Sequence, residues 1–305
     1  MNFKNLIHLF DYFKDEQVCR QYLEQERWSG APECPFCGCI KVYRTNRGFK
    51  CADKFCAKKF TVTVGTIFEN SKVPLRTWFA AIYLCTSSKK GVSSLQIHRQ
   101  LGVTQKTAWF ILHRIREMLK DKAPAMLTGT VEIDETYYGG KEKNKHKSKR
   151  IGQSGMADKA PMVGLLERNG NMVIKVLEKG TANGLTIKPI IRQYVSPEAT
   201  IYTDGFGAYK DLNLEFAQHR FVEHLNGQYV VDGMVHTNSI EGFWSVLKRG
   251  IYGIYHQVST KHLQRYCDEF SARFNTRGSF DNERFQWSIK KCEGRLTYNK
   301  LVGKQ

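Results

Sequence analysis

Three carboxylates lie in apolar segments of the sequence. Burying a charged group there is unfavourable unless the group is paired or binds a metal. Asp134 lies inside the strand-like run TVEIDETYY, Asp204 ends the short run TIYTD, and Glu241 lies in a segment of helical periodicity, HTNSIEGFWSVLKRG. A site for two divalent cations, Mg²⁺ or Mn²⁺ about 3.5–4 Å apart, needs oxygen ligands brought together from several elements. The three residues therefore predict a metal-dependent phosphoryl-transfer site. Glu132, on the same strand face as Asp134, is interpreted as a decoy.

The helix predicted over residues 236–250 carries three polar residues on one side. Asn238, Glu241 and Lys248 are separated by three and seven residues, so at about 3.6 residues per turn they face one direction. Apolar and aromatic side chains point elsewhere. Taken alone, this pattern is typical of a solvated helix stripe, and it is the two upstream aspartates that favour a functional site.

Four of the nine cysteines form two close pairs near the N-terminus. Cys34 and Cys37 belong to a CPFCG knuckle, while Cys51 and Cys56 follow a short predicted hairpin with a C-x4-C spacing. Four thiolates at about 2.3 Å from one Zn²⁺ make a closed tetrahedral site that can stabilise a module with little core. The pattern predicts a structural zinc ribbon in a reducing compartment. Cys39 is a spare thiol that could replace one ligand.

The overall charge predicts an anionic partner. The chain has 305 residues, with 47 Lys and Arg against 29 Asp and Glu, and a net charge of +18. Nucleic acid is the partner that such an excess most simply indicates. An acidic membrane surface is the competing partner, but no apolar run approaches the length of a spanning helix. We therefore expect a soluble protein that is not exported and has no membrane partner.

A helix-turn-helix pattern supplies a candidate DNA-reading element. A first helix near residues 93–100 meets a tight turn, and Thr104 can cap a second helix over about residues 105–119. Polar residues at the exposed start of the second helix would read base edges, and basic residues further along would hold phosphates. The predicted contacts are Gln105, Lys106, Thr107 and Arg114, with His113 and Arg116 in the same stretch. A helical hairpin that only packs is the alternative.

A second basic element directly follows the strand that carries Asp134. The run KEKNKHKSKR contains a single acidic residue, Glu142. Such runs are often only solvated, but the position of this one equally allows a clamp on the phosphate backbone of DNA. The residues assigned to this clamp are Lys143, Lys145, Lys147, Lys149 and Arg150.

Together these elements predict a multidomain α/β protein. After the helix-turn-helix, a hairpin, a crossover helix, a further strand and a helix predict a mixed sheet with helices on it. The predicted boundaries are a helical lead-in over 1–30, a zinc ribbon over 31–70, the helix-turn-helix region over 71–122, a catalytic domain over 123–280 and a basic C-terminal tail over 281–305.

Long segments of the chain resemble a known family. HTNSIEGFWSVLKRG with its continuation IYGIYHQVSTKHLQRYCDEFSARFN, the strand VEIDETYYGGK and the segment IYTDGFGAY are similar to bacterial insertion-sequence transposases of the DDE class that have an N-terminal zinc ribbon. The resemblance covers nearly the whole chain, and it implies a bacterial protein of the cytoplasm that associates with the nucleoid. It implies a ribonuclease H-like core, a mixed sheet flanked by helices, that uses divalent metal to cut the 3′ ends of its own element and join them to target DNA.

The resemblance also implies residue roles. The residues it assigns are Asp134 and Asp204 as metal ligands, Glu241 as the third ligand, and Lys248 beside Arg249 at DNA phosphate. Members of the group have either Glu or Asn in the third position. An anionic oxygen neutralises a cation better than an amide does, which favours Glu241, although Asn238 could also bind the metal or orient a ligand.

The implied partners are double-stranded DNAs, the terminal inverted repeats of the element and the target, and we expect a homodimer or higher homo-oligomer on them. Two alternatives remain open. One is a transposase-derived regulator that binds DNA through residues 30–120 without cleaving it. The other is a metal-dependent DNA nuclease that does not transfer strands.

Overall fold

The computed structural model describes residues 3–140, 146–149, 159–222, 230 and 234–303. The helices are α1 (Leu6–Tyr12), α2 (Glu16–Trp28), α3 (Leu75–Ser87), α4 (Ser94–Leu101), α5 (Gln105–Leu119), α6 (Gly184–Tyr194), α7 (Asn238–Gly250), α8 (Thr260–Asn275), α9 (Asp281–Lys290) and α10 (Tyr298–Val302). The strands are β1 (Val42–Thr45), β2 (Gly48–Cys51), β3 (Lys59–Phe60), β4 (Thr130–Tyr138), β5 (Ala160–Glu167), β6 (Met172–Val176), β7 (Thr200–Asp204) and β8 (Gln218–Val222). None of the described helices is long and apolar enough to cross a membrane.

The chain divides into two compact units. The N-terminal unit comprises Met1–Lys120 together with Gly278–Gln305, and the sheet unit comprises Asp121–Arg277. An aromatic cluster joins both ends of the chain within the N-terminal unit, since the ring of Phe79 lies 4.8 Å from that of Phe13 and 5.5 Å from that of Phe285. Residues 281–305, predicted to be a basic tail, therefore contribute to the core of this unit.

The zinc-ribbon region folds as a small antiparallel sheet in the order β1-β2-β3. Its core is little more than three rings, with Trp28 5.4 Å from Phe49 and Phe49 5.5 Å from Phe60. A core of this size provides little stability by itself. The four clustered cysteines, Cys34, Cys37, Cys51 and Cys56, are therefore expected to matter for the stability of this region.

Local signals define α4 and α5 as predicted. Ser93 and Gln96 form a reciprocal capping box at the start of α4, with bonds of 2.9 and 3.2 Å. The helix ends at Gly102, whose φ of 68° is a conformation that glycine adopts readily. Thr104 then caps α5 by accepting a 3.2 Å bond from the backbone N–H of Thr107. The two helices are thus joined by a three-residue turn.

The sheet unit contains one mixed sheet in the order β6-β5-β4-β7-β8. β4, β5 and β6 run antiparallel to one another, whereas β4, β7 and β8 are parallel. This order is that of a ribonuclease H-like fold. Side chains alternate along β4, so Val131 and Ile133 pack in the core beneath α6, while Glu132 and Asp134 point toward α7.

Candidate active site and zinc centre

The pairing of β4 with β7 directs Asp134 and Asp204 to the same end of the sheet. β4 and β7 pair in parallel as Thr130 with Thr200, Val131 with Ile201 and Glu132 with Tyr202, a constant offset of 70 residues. Asp134 and Asp204 are separated by the same 70 residues, and Asp204 is the last residue of β7. Paired residues on parallel strands point to the same face. The pairing ends at Glu132 and Tyr202. Two residues further along, the negative charge of Asp204 contributes to raising the pKa of Asp134, so the two carboxylates are close neighbours.

Helix α7 packs directly onto Asp134. The indole Nε1 of Trp244 donates a 3.0 Å hydrogen bond to Oδ2 of Asp134. Gly164, the partner of Asp134 on β5, makes room for this indole, because a Cβ at residue 164 would lie 2.6 Å from Cζ2 of Trp244. The site therefore depends on a close approach of helix and sheet that only glycine allows without a shift of its neighbours.

The predicted helix residues lie on α7 near this contact. Glu241 is one turn before Trp244 and Lys248 is one turn after it, and both are exposed, as is Asn238 at the start of the helix. The Thr237 hydroxyl donates a 3.0 Å bond to Oε1 of Glu241. Arg249, in the last turn, is also exposed. The structure thus brings the helix residues and the aspartates to one side of the sheet.

The three carboxylates are more widely spaced than the cysteines of the ribbon. Within the described residues, only the cysteine group has all its potential ligand atoms within 4.8 Å of one another.

Like charges surround Asp134. Burial, followed by the negative charges of Glu135 and Asp204, raises the pKa of the Asp134 carboxyl from 3.8 to about 7. The hydrogen bond from Trp244 opposes this shift. A hard divalent cation among these oxygens would offset the repulsion, and carboxylate oxygens are the ligands that Mg²⁺ and Mn²⁺ prefer. The donor set therefore fits the predicted metals.

Glu135 and Tyr209 belong to the surroundings of the site and were missed in the sequence. Glu135 faces away from α7, and its Oε2 accepts a 2.6 Å bond from the hydroxyl of Tyr209, which is 1% exposed. The pKa of Glu135 is raised, because burial outweighs the opposing hydrogen bond from Tyr209. Tyr209 lies five residues after Asp204 in TDGFGAY, and this proximity was the available signal.

Glu132 anchors the start of α7. Its side chain is fully buried, and its carboxylate accepts 3.0 Å bonds from the backbone N–H groups of Ser239 and Ile240 and from the Ser239 hydroxyl. Arg168 donates to the same carboxylate at 2.7 Å and also to the backbone oxygen of His236 at 2.9 Å. Free N–H groups at a helix start and a guanidinium are strong partners for a buried carboxylate. Glu132 is therefore a structural residue that fixes where α7 begins.

The ribbon cysteines form a metal-binding geometry. The Sγ atoms of Cys34, Cys37, Cys51 and Cys56 all lie within 4.8 Å of one another, as four ligands of one Zn²⁺ would. Cys39 is outside this group, and its thiol donates to the backbone oxygen of Lys41 at 3.4 Å. The four predicted ligands fit a structural zinc ion, and the fifth thiol is not needed for it.

The start of α5 exposes two of the residues predicted to contact DNA. Gln105 and Lys106 are exposed, and Thr107 is half-buried. The Gln105 amide donates to the Ser94 hydroxyl at 2.9 Å, and Nζ of Lys106 lies 5.1 Å from the ring centroid of Tyr298. The end of the helix that was predicted to read base edges is thus accessible.

Arg114 requires a correction. Its side chain is 5% exposed, and its guanidinium donates to the backbone oxygens of Leu296, Ile67 and Glu69 at 3.0, 2.7 and 3.0 Å. These carbonyls come from two segments that fold onto α5, so the group is used inside the unit and cannot hold a DNA phosphate. His113 and Arg116 are buried as well, at 0% and 1% exposure.

Only part of the lysine run is described. Lys147 is exposed and lies in a short 3₁₀ turn, Lys147–Lys149. The predicted clamp residues Lys143, Lys145 and Arg150 lie outside the described residues, as does the side chain of Lys149.

A ribonuclease H-like sheet with aspartates on adjacent parallel strands, preceded by a zinc ribbon, defines a transposase-like architecture. Residues 126–275 match the ISXO2-like transposase domain, and residues 14–59 match the transposase zinc-ribbon domain. A protein in the transposable element ISH50 of Halobacterium salinarum is 31% identical over 276 residues, which cover 86% of this chain and 91% of that protein. The chain belongs to the family of insertion-sequence transposases with an ISXO2-like transposase domain and a zinc ribbon.

Two kinds of partial similarity accompany this assignment. A transposase-like protein of Haemophilus influenzae is 30% identical over 90 residues, 30% of this chain and 71% of that protein. The crystal structure of the Mos1 strand transfer complex aligns with 73% of this chain and 77% of that chain, at 14% identity and a TM-score of 0.30. A pre-cleavage Mos1 transpososome aligns with 96% and 97%, at 13% identity and a TM-score of 0.20. These structural similarities are too remote to bear on the site.

Proposed function

We propose that this chain is a DDE-class transposase that binds the terminal inverted repeats of its own element, cleaves the 3′ ends by metal-dependent hydrolysis and joins them to target DNA. The observation that most directly supports this proposal is that Asp134 accepts a hydrogen bond from α7, the helix that carries Glu241, and has beside it the charge of Asp204, which ends the paired strand β7. Family membership supports the same class of reaction.

In this proposal Asp134, Asp204 and Glu241 hold two divalent cations. When bound, Mg²⁺ or Mn²⁺ supplies an activated attacking oxygen and charge neutralisation at the leaving oxygen. Trp244 orients the Asp134 carboxylate through its 3.0 Å hydrogen bond. Asn238, at the first position of α7, contributes an amide oxygen to the site or orients Glu241.

The reaction needs no covalent enzyme intermediate. Water attacks the phosphorus at the element end, the bond to the 3′ oxygen breaks, and that oxygen leaves as a 3′-hydroxyl. The freed 3′-hydroxyl then attacks a phosphodiester of the target, which forms the new bond and releases a target 3′-hydroxyl. Lys248 and Arg249, exposed at the end of α7, bind the phosphates next to the scissile bond as positive charges.

DNA recognition combines elements of the N-terminal unit with the lysine run of the sheet unit. The exposed start of α5, with Gln105, Lys106 and Thr107, enters the major groove of the terminal repeat, and the zinc ribbon and the lysine run at 143–150 hold the phosphate backbone. The chain acts as a homodimer or higher homo-oligomer on DNA, so that two element ends are cut and joined together.

The test combines protein, Mn²⁺, a donor carrying the element ends and a supercoiled target. The wild-type chain is expected to cleave and join, and the Asp134→Ala chain is expected to bind the donor and do neither. Cleavage without a joined product would contradict the proposal and indicate a nuclease that does not transfer strands. Unchanged DNA binding and an unchanged biological effect in Asp134→Ala would replace it by a regulator.

The third ligand is tested separately in the same assay. Glu241→Gln is expected to abolish cleavage, whereas Asn238→Ala is expected to reduce it. The reverse ranking would assign the third position to Asn238.

A further inference from the structure

The tip of the zinc ribbon presents apolar side chains to solvent. Phe55 is fully exposed, Ile40 is 83% exposed and Phe36 is 48% exposed. Phe36 directly precedes Cys37, and Phe55 directly precedes Cys56. Each phenylalanine therefore belongs to one of the two knuckles whose sulfurs converge within 4.8 Å. The ribbon tip, defined as Phe36, Ile40 and Phe55, lies outside the small core of Trp28, Phe49 and Phe60.

The backbone of both knuckles is held in place. Oδ1 of Asp53 accepts bonds of 2.8 and 3.0 Å from the N–H groups of Phe55 and Cys56. In the first knuckle, the N–H of Gly38 donates to the backbone oxygen of Cys34 at 2.8 Å. Apolar groups presented on a pre-ordered backbone lose little conformational entropy on binding. Such a tip is suited to contact a partner.

The charge of the ribbon indicates what this partner is. Residues 34–60 contain seven basic residues and one acidic residue, Asp53, which is engaged with the knuckle backbone. All seven basic side chains are exposed, and Nζ of Lys58 lies 4.7 Å from the ring centroid of Phe36. The basic residues are Lys41, Arg44, Arg47, Lys50, Lys54, Lys58 and Lys59. Aromatic rings among basic side chains are the combination that binds single-stranded nucleic acid.

We propose that the ribbon tip binds unpaired bases of DNA by stacking, while the surrounding basic residues hold the phosphates. A duplex covers the faces of its bases and offers hydrogen-bonding edges in its grooves, which a phenyl ring cannot use. Unpaired bases expose both faces. The partner is therefore DNA with an unpaired stretch, such as a frayed or nicked end. The inference rests on the proposed function only in taking DNA as the substrate.

The test compares binding to a fluorescein-labelled single-stranded oligonucleotide and to the blunt duplex of the same sequence, at one fixed salt concentration. The full chain carries Asp134→Ala in every sample so that no cleavage occurs. The double variant Phe36→Ala/Phe55→Ala is expected to lose affinity for the single strand by about tenfold or more, with duplex affinity within about twofold of the parent. Phe36→Trp/Phe55→Trp is expected to retain single-strand affinity, because indole also stacks.

Ile7→Ala is the matched control, because Ile7 is 72% exposed on α1 of the same unit, and it is expected to leave both affinities unchanged. Zinc content and melting temperature identify any variant that fails to fold, and the Trp variant then decides the outcome. The proposal is overturned if the parent does not bind the single strand, if both affinities fall together, if neither falls, or if the Ala variant changes the oligomeric state without DNA.

Failure of the transposase proposal is distinguishable from failure of this one. Cleavage and joining are measured on the chain with Asp134 intact. Their absence would remove the catalytic proposal and leave the comparison of oligonucleotides valid, whereas loss of the single-strand preference leaves the cleavage result unaffected.

Discussion

Glu132 and Asp134 lie two residues apart on the same face of β4, yet their surroundings are opposite. Glu132 is fully buried, with Arg168 and the first N–H groups of α7 as partners. Asp134 accepts a bond from the neutral indole of Trp244 and has Glu135 and Asp204 as negative neighbours. A buried carboxylate with a complete set of donors stabilises the fold. One that is surrounded by like charges is instead suited to bind a cation.

The largest stability effect is expected at Glu132. Glu132→Ala leaves Arg168 without its partner and two helix N–H groups unpaired in a buried place, which is expected to lower the free energy of unfolding of the sheet unit by about 3–5 kcal/mol. Urea unfolding followed by circular dichroism measures it. Glu215→Ala is the control, because it breaks the solvent-screened pair with Arg192 and is expected to change the free energy of unfolding little. Equal losses for the two variants would remove the anchoring role of Glu132.

At Asp134, a substitution is expected to increase the stability of the fold and not to lower it. Its folded-state pKa of about 7 is above the ordinary 3.8, so its contribution to stability is present below pH 3.8 and is lost as the pH rises through 7. Asp134→Asn removes this loss. In metal-free buffer the variant is expected to be more stable than the parent at pH 8, and its advantage is expected to exceed that at pH 5 by on the order of 2 kcal/mol.

Thermal unfolding of both chains at the two pH values provides the measurement. A stability advantage of Asp134→Asn that is the same at both pH values, or larger at pH 5, would show that ionisation of Asp134 does not destabilise the fold.

A smaller effect on stability is expected at Gly164, where α7 packs closely against the sheet. Gly164→Ala places a methyl group 2.6 Å from Cζ2 of Trp244, so the indole must move away from Asp134, and we expect a loss of about 1–3 kcal/mol in stability. Gly242→Ala on α7 meets nothing within 4 Å and is expected to be neutral or to stabilise by up to about 1 kcal/mol. Urea unfolding compares the two. If Gly164→Ala also behaves neutrally, the close approach of helix and sheet is unimportant.

Short-range patterns predicted several parts of the molecule. The spacing within the two cysteine pairs, which begin at Cys34 and Cys51, predicted the metal cluster because these ligands are close in sequence. Thr104 predicted the start of α5 because a cap bonds to residues of the next turn. The hairpin of β5 and β6 followed from the turn at Asn169, which has a positive φ of 62°. Each of these signals involves residues close in sequence.

Long-range packing explains what the sequence did not predict. Arg114 was predicted to hold a DNA phosphate because it is a basic residue along the second helix of the helix-turn-helix pattern. A segment from the far end of the chain covers it instead, with Leu296 among its partners. The partners of Glu132, Arg168 and Ser239, are far from it in sequence, and no local pattern predicts these bonds. The offset of 70 between the aspartates acquires meaning only once β4 and β7 are known to pair with that offset.

The most direct test of the central claim is a Mg²⁺ titration of the melting temperature at pH 8 without DNA, comparing the parent with Asp134→Asn. A hard cation binds carboxylates in preference to the ribbon thiolates, and at a hundred times its dissociation constant it adds about 2.7 kcal/mol to stability. The parent is expected to melt at progressively higher temperature as Mg²⁺ increases, and Asp134→Asn is expected not to respond. The same Mg²⁺-dependent rise in both chains would contradict the claim that Asp134 holds the cation.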